Sequence, residues 1–203
     1  MLNKELRSAS VKRVSKETEI SINLQIDRPR KIHIDTPVQF FNHMLEAMAF
    51  HGRLDLDVKA RGDIEVDPHH LVEDTGIVFG ECLQKIFSLG PVNRFGSAKI
   101  PMDDALSEVV IDAGGRAYLH YDASYDQQRI SDFDVNLVRE FMMAVSVNAQ
   151  INLHAIVHYG KNSHHMVESL FKAFGRSILE AYAKSDDEMS TKGVVSESSS
   201  SLS

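Results

Sequence analysis

One five-residue run occurs twice and constrains the chain more than any other feature. His69-His70-Leu71-Val72-Glu73 is followed 95 residues later by His164-His165-Met166-Val167-Glu168. At the same offset Phe79-Gly80 matches Phe174-Gly175. A helical pattern and then an alternating strand precede each run in the same order, at 40–50 and 54–60 and again at 135–148 and 151–158. A chain that repeats its elements in register predicts a duplicated fold with pseudo-two-fold symmetry. The repeat also pairs His43 with Glu140, which precede their His-His pairs by 26 and 24 residues.

The elements around the repeat follow from hydrophobic period. Ile20, Ile22, Leu24 and Ile26 alternate as a half-buried strand, and Ile32 and Ile34 are expected to start its hairpin partner across Asp27-Arg28-Pro29. Phe40, Phe41, Met44, Leu45 and Met48 recur at helical spacing, with Gly52 as the expected stop. A second helix is expected from His69 to about Phe87, with Val72, Phe79, Leu83 and Ile86 on one side. Further strands read at 97–102, 106–112 and 116–121, broken by Asp103-Asp104 and Gly114-Gly115. Helices over 135–148 and 164–183 flank a strand at 151–158. The expected architecture is α/β (α+β): duplicated split β-α-β halves, each a four-stranded sheet with helices on one face. The halves are expected at 1–95 and 96–184, forming one compact unit. Residues 185–203, rich in serine and acid, are expected either to close over substrate or to be partly disordered.

A net charge of -7 with no long basic run argues against nucleic acid, which demands clustered Lys and Arg. No stretch approaches 18 consecutive apolar residues, and Met1-Leu2-Asn3-Lys4-Glu5 has no apolar signal-peptide core, so no membrane association is expected. Cys82 is the single cysteine, which fits a reducing cytoplasm.

The 10 histidines are roughly twice average usage, and four stand in the two pairs. On a helix, residues four apart share a face, so His69 aligns with Glu73 and His164 with Glu168. Adjacent residues diverge by about 100°. The two histidines of a pair are therefore expected to serve two different metal ions. His43, His69, His70, Glu73, Glu140, His164, His165 and Glu168 give eight candidate ligands, or four per metal. Nitrogen and carboxylate donors without thiolate admit Mn, Fe, Co, Ni or Zn. Imidazole binds metal only when neutral, so occupancy is expected to fall in mild acid. His33, His120 and His158 read as ordinary structural or surface histidines, and His154 stays open between the two readings. Arg94, Arg116, Lys172 and the run Ser190-Thr191-Lys192-Gly193 offer donors for an anionic substrate in an otherwise acidic chain.

Longer motifs carry a family resemblance. Arg13-Val14-Ser15-Lys16-Glu17-Thr18, Phe40-Phe41-Asn42-His43-Met44-Leu45, His51-Gly52, Gly62-Asp63, His69-His70-Leu71-Val72-Glu73-Asp74, Arg94-Phe95-Gly96, Pro101-Met102-Asp103-Asp104-Ala105-Leu106, Gly160 to His165 and Glu168 to Phe174 resemble, in order, the imidazoleglycerol-phosphate dehydratases. The resemblance runs nearly the whole chain, to Ser190-Thr191-Lys192-Gly193-Val194. It implies a lyase of histidine biosynthesis acting on a small phosphorylated imidazole, erythro-1-(imidazol-4-yl)glycerol 3-phosphate. It implies two manganese ions, Mn(2+), per active site, and a hollow homo-oligomer of 24 subunits with sites between subunits, the motifs being those above. It puts metal ligands on His43, His69, His70, Glu73, His164, His165 and Glu168. Substrate contacts fall on Glu17, His51, Arg94, Arg116, Lys172, Ser190 and Lys192. Many relatives carry histidine at the position of Glu140. Asn42, Asp104, Asp27-Arg28 and Gly114-Gly115-Arg116 are further departures from the family pattern.

The reaction this implies must remove a proton that is not acidic in water. Metal on the ring nitrogens would stabilise a deprotonated ring, whose charge expels the neighbouring hydroxyl and leaves an enol that becomes the ketone. Glu17 or Glu168 would move the proton, with His70 and His165 completing the catalytic set. Two other classes compete: a metal-dependent phosphatase or other hydrolase, and a metal-storage shell. The second is disfavoured because storage sites use Glu-x-x-His on long bundle helices, and this chain reverses that order between strands.

Overall fold

A computed structural model describes residues 6–27 and 31–185. The first half runs β1 (Ser8–Val14), β2 (Thr18–Gln25), β3 (Ile32–Asp35), α1 (Gln39–Gly52), β4 (Asp55–Gly62) and α2 (His69–Phe87). The second runs β5 (Phe95–Met102), β6 (Ala105–Asp112), β7 (Tyr118–Asp122), the short pair β8 (Arg129–Ile130) and β9 (Phe133–Asp134), α3 (Leu137–Ala149), β10 (Asn152–Tyr159) and α4 (Ser163–Ala181). The four-stranded sheets have the orders β1-β2-β4-β3 and β5-β6-β10-β7, one topology used twice. The expected duplicated α/β fold is borne out.

The expected hairpin between 20–26 and 32–34 does not form. β4 lies between them, antiparallel to β2, and β3 is the edge strand, parallel to β4. The register explains the choice. Ile20, Ile22 and Leu24 stand directly opposite Ala60, Val58 and Leu56, and all six are buried. Strand β3 offers only four residues, none of them buried, which suits an edge. Its link to β4 passes through α1, which buries Phe40, Phe41, Met44, Leu45 and Met48. Helix α3 makes the same crossover between β7 and β10.

Helices of the two halves meet crosswise: α1 packs on α4, and α2 on α3. Their rings interleave, with Phe141 edge-on to Phe41 and stacked on Phe79 and Phe171. The repeated glycines set the approach. A methyl group on Gly80 would lie 2.9 Å from the Val145 carbonyl oxygen, and one on Gly52 would lie 2.8 Å from the Gly175 carbonyl oxygen. Gly52 is thus the last residue of α1 and a contact point, while the left-handed turn falls on Arg53, at φ 53°.

Candidate metal and substrate site

Both His-His pairs open helices, and side chains fix how. The Asn162 side chain accepts the His164 N–H at 2.9 Å and caps α4. Asp67 accepts the His69 N–H at 2.7 Å ahead of α2. Within each pair the rings turn apart, at 90° for His69 and His70 and 78° for His164 and His165.

At α4 three donors converge. Glu168 Oε2 lies 3.1 Å from His164 Nε2 and 3.4 Å from His43 Nε2. These donor atoms all lie within 4.8 Å of one another, as a metal group requires. Ligands bound side by side to one ion at roughly 2.1 Å stand roughly 3 Å apart, so the spacing fits an ion. The second carboxylate oxygen of Glu168 meets Lys172 Nζ at 2.9 Å. Burial pushes the Glu168 carboxyl up, but Lys172, His43 and His164 outweigh it and hold it below the ordinary value.

At α2 the matching residues stand looser. His69 Nε2 is 3.8 Å from Glu73 Oε2, and both side chains are more than two-fifths exposed. Glu140, on α3, pairs with Arg139 at 3.0 Å, and it lines with His69 an open cleft of about 610 Å³.

The second histidine of each pair faces a carboxylate from a turn. His70 Nδ1 is 3.2 Å from Asp63 and 3.8 Å from Glu17. Asp63 raises the His70 pKa against burial, with help from Glu17. His165 Nδ1 is 2.7 Å from Asp104 and its Nε2 is 3.7 Å from Asp103. His165 and the backbone N–H groups of Lys161 and Asn162 hold Asp104 well below the usual carboxylate range.

Among the described residues the expected phosphate donors are not assembled within one chain. Arg94 lies beside the C-terminal end of α4, its N–H donating to the Ala181 carbonyl at 2.9 Å. About 26 Å of helix separates that end from His164. Its guanidinium grips Asp112 through two bonds, at 2.6 and 3.0 Å, and lies over the Phe95 ring. Arg116 is at the same sheet end, its carbonyl accepting from Asn152 at 2.6 Å. His51 stands two helical turns from His43, against Phe50. Only Lys172 joins the His164 cluster. Ser190 and Lys192 lie outside the described residues. His158 pairs with Glu108 at 2.6 Å, and His120 and His154 meet across neighbouring strands, away from both helix starts.

Sequence reasoning assigned no role to Asp63 or Asp103, and it treated Asp104 only as a departure from the family pattern. The signal was present in Gly62-Asp63 and Asp103-Asp104, carboxylates at strand ends; Asp63 meets a histidine seven residues on, whereas Asp104 meets His165 across 61 residues.

A family model for imidazoleglycerol-phosphate dehydratase matches residues 36–178. The chain belongs to the imidazoleglycerol-phosphate dehydratase family. An imidazoleglycerol-phosphate dehydratase of Lacticaseibacillus casei is 48% identical over 194 residues, covering 94% of this chain and all of the relative. The crystal structure of the Staphylococcus aureus dehydratase superposes with a TM-score of 0.79 at 37% identity, over 88% of this chain and 99% of that one. The Pyrococcus furiosus enzyme, in complex with (S)-C348, gives 0.80 at 34% identity, over 91% and 100%. Membership in this dehydratase family makes the chain a hydro-lyase. Among the described residues no helix is long and apolar enough to cross a membrane.

Proposed function

We propose that the chain dehydrates D-erythro-1-(imidazol-4-yl)glycerol 3-phosphate to 3-(imidazol-4-yl)-2-oxopropyl phosphate, in cytoplasmic histidine biosynthesis. It does so at a site that holds two manganese ions and is completed by neighbouring copies. The convergence of His43, His164 and Glu168, with Glu168 kept ionised by Lys172, carries this reading. His69 and Glu73 of α2, with Glu140 of α3, form the corresponding second set. His70 and His165 point away from these sets and join them across subunit contacts. When bound, the ions act as Lewis acids on the imidazole ring and favour its deprotonated form.

The chain's own residues do the rest. Glu168 is nearly buried and engaged on both oxygens, which suits a ligand better than a proton carrier. Glu17 is more than half exposed beside His70 and is the group that moves the proton. One C–H proton and one hydroxide leave as water, and the enol left behind becomes the ketone. Arg94, Arg116, Lys172, Ser190 and Lys192 hold the phosphate, and His51 also contacts substrate. The two halves span 1–95 and 96–184, and the C-terminal segment beyond residue 185 lies outside the described residues.

Assembly is supported by the distance between Arg94 and His164, which no single chain can close. It is supported too by the outer face of the second sheet. Phe95, Tyr118 and Val110 are 57, 56 and 37% exposed there. Charged groups around them have partners, Arg94 with Asp112 and Lys99 with Glu108. Exposed rings set among charges that already have partners suit burial against a second copy. A closed shell of 24 copies satisfies both, as in the family resemblance of these motifs.

The test is metal-stripped protein, titrated with manganese and assayed with imidazoleglycerol phosphate. A phosphorylated ketone that appears as manganese is added is the expected result. Release of inorganic phosphate instead would establish the hydrolase, and turnover indifferent to metal would overturn the site.

A further inference from the structure

The acid after Glu73 turns the other way. Asp74 is only 7% exposed and points into the protein, away from the metal ligands. One oxygen accepts from Arg13 Nε at 2.9 Å, and the other accepts a short hydrogen bond from the Thr18 hydroxyl. Both donors flank Glu17. The Thr18 hydroxyl also meets Ser15 Oγ at 3.2 Å, and Ser15 Oγ accepts the N–H groups of Glu17 at 3.1 Å and Thr18 at 3.0 Å. From the far side the Asp63 N–H donates to the Glu17 carbonyl at 3.1 Å. The turn that carries Glu17 is thus anchored to α2 by a buried charge and to the end of β4 by its backbone.

The second half supplies an internal control. Ser169 stands 95 residues after Asp74, and it joins helix to strand with hydroxyls alone, Ser169 Oγ lying 2.6 Å from Ser107 Oγ. A neutral pair therefore suffices to bind such a helix to its sheet. A buried carboxylate is costlier to desolvate and persists only with donors built around it. The half that bears this cost is the half whose turn carries Glu17. The corresponding turn of the second half presents Asp104, which is fixed by its own bonds to Lys161 and Asn162.

We propose that Asp74 is a positioning residue that acts through Thr18 and Arg13 to set the Glu17 carboxylate against His70 and the reacting C–H. This rests on the reading of Glu17 as the proton-moving group. A misplacement of about 1 Å in such a group costs roughly 100-fold in rate.

The experiment uses the full-length, manganese-loaded enzyme. Because Asp74→Asn endangers folding, Thr18→Val is the primary variant, since it keeps shape and removes the bond. The expected result is kcat about 10- to 100-fold lower, with KM and bound manganese unchanged, and recovery in Thr18→Ser. In a Glu17→Gln background Thr18→Val should cost nothing further, since both act through one carboxylate. Thr18→Val at wild-type kcat, or full additivity with Glu17→Gln, would overturn the tether while Glu17 keeps its role. Glu17→Gln at wild-type kcat would overturn the Glu17 reading and the tether with it.

Discussion

The two copies of His-His-x-x-Glu stand at equivalent helix starts but are unequally assembled. In the second half His164 and Glu168 are 3.1 Å apart, His43 joins them from α1, and Lys172 neutralises the carboxylate from behind. In the first half His69 and Glu73 are 3.8 Å apart, and Glu140 is drawn to Arg139. The difference follows from what stands behind each glutamate. Glu168 is buried against a lysine one turn on, whereas Glu73 is followed four residues later by Ile77 and is itself partly exposed. A duplicated motif can thus provide one preassembled candidate metal set and one that needs further groups to close.

The most direct way to break this comparison is to neutralise each glutamate in turn. Glu168→Gln should abolish the preassembled set and lower turnover by more than the roughly 100-fold that loss of an outer partner causes. Glu73→Gln should leave one manganese per chain bound in dissociated subunits, while Glu168→Gln leaves none there. Metal analysis of both variants checks the assignment, and equal retention in the two would remove the asymmetry. Next in size, Lys172→Met strips the carboxylate of its partner, and manganese affinity should fall roughly 10- to 100-fold. A rise in KM for substrate with metal affinity intact would show that Lys172 serves the phosphate alone.

The helix contacts sharpen the comparison on the stability side. Gly80 faces Val145 and Asn148 of α3, and Gly175 faces Met48 of α1, with less room at Gly175. Gly80→Ala should cost about 1–3 kcal/mol by overpacking, and Gly175→Ala more, because its methyl would lie 2.1 Å from the Met48 carbonyl oxygen against 2.9 Å from that of Val145 at Gly80. Thermal unfolding of both variants ranks them. The reverse order would mean that α1 and α4 can separate more easily than the fold implies.

What was legible in the sequence follows a physical division. The helix starts at His69 and near His164 were visible because an apolar stripe at helical spacing follows each polar pair. The pairing of His164 with Glu168 follows from 3.6 residues per turn. Strand β1 was missed because only Val11 of its seven residues is buried, so no alternation marks it. Strand order was missed where β3 seemed the natural partner of β2, because register over eight residues is a tertiary property. At the site, Asp104 meets His165 across 61 residues and Asp74 meets Thr18 across 56, distances that no local pattern encodes.

The smallest expected effect concerns a contact far from the His164 cluster, where the chain entering β1 meets the chain leaving β2. Asp27 accepts from Arg7 through its backbone N–H and guanidinium at 3.0, 2.9 and 2.9 Å, and Lys184 from the second half stands 3.9 Å away. The Arg7 bonds hold the Asp27 carboxyl below its ordinary value of 3.8 despite burial. A carboxyl more acidic when folded stabilises the fold above its unfolded value, and the contribution is lost as pH falls through the folded one. Melting temperatures of the wild type and Asp27→Asn should therefore differ most near neutrality and converge as pH drops below 3.8. A gap that stays constant to pH of about 2 would mean that Asp27 holds Arg7 by shape and not by charge. The site would be untouched by that result, since Arg7 and Asp27 lie at the end of the helices opposite His43 and His164.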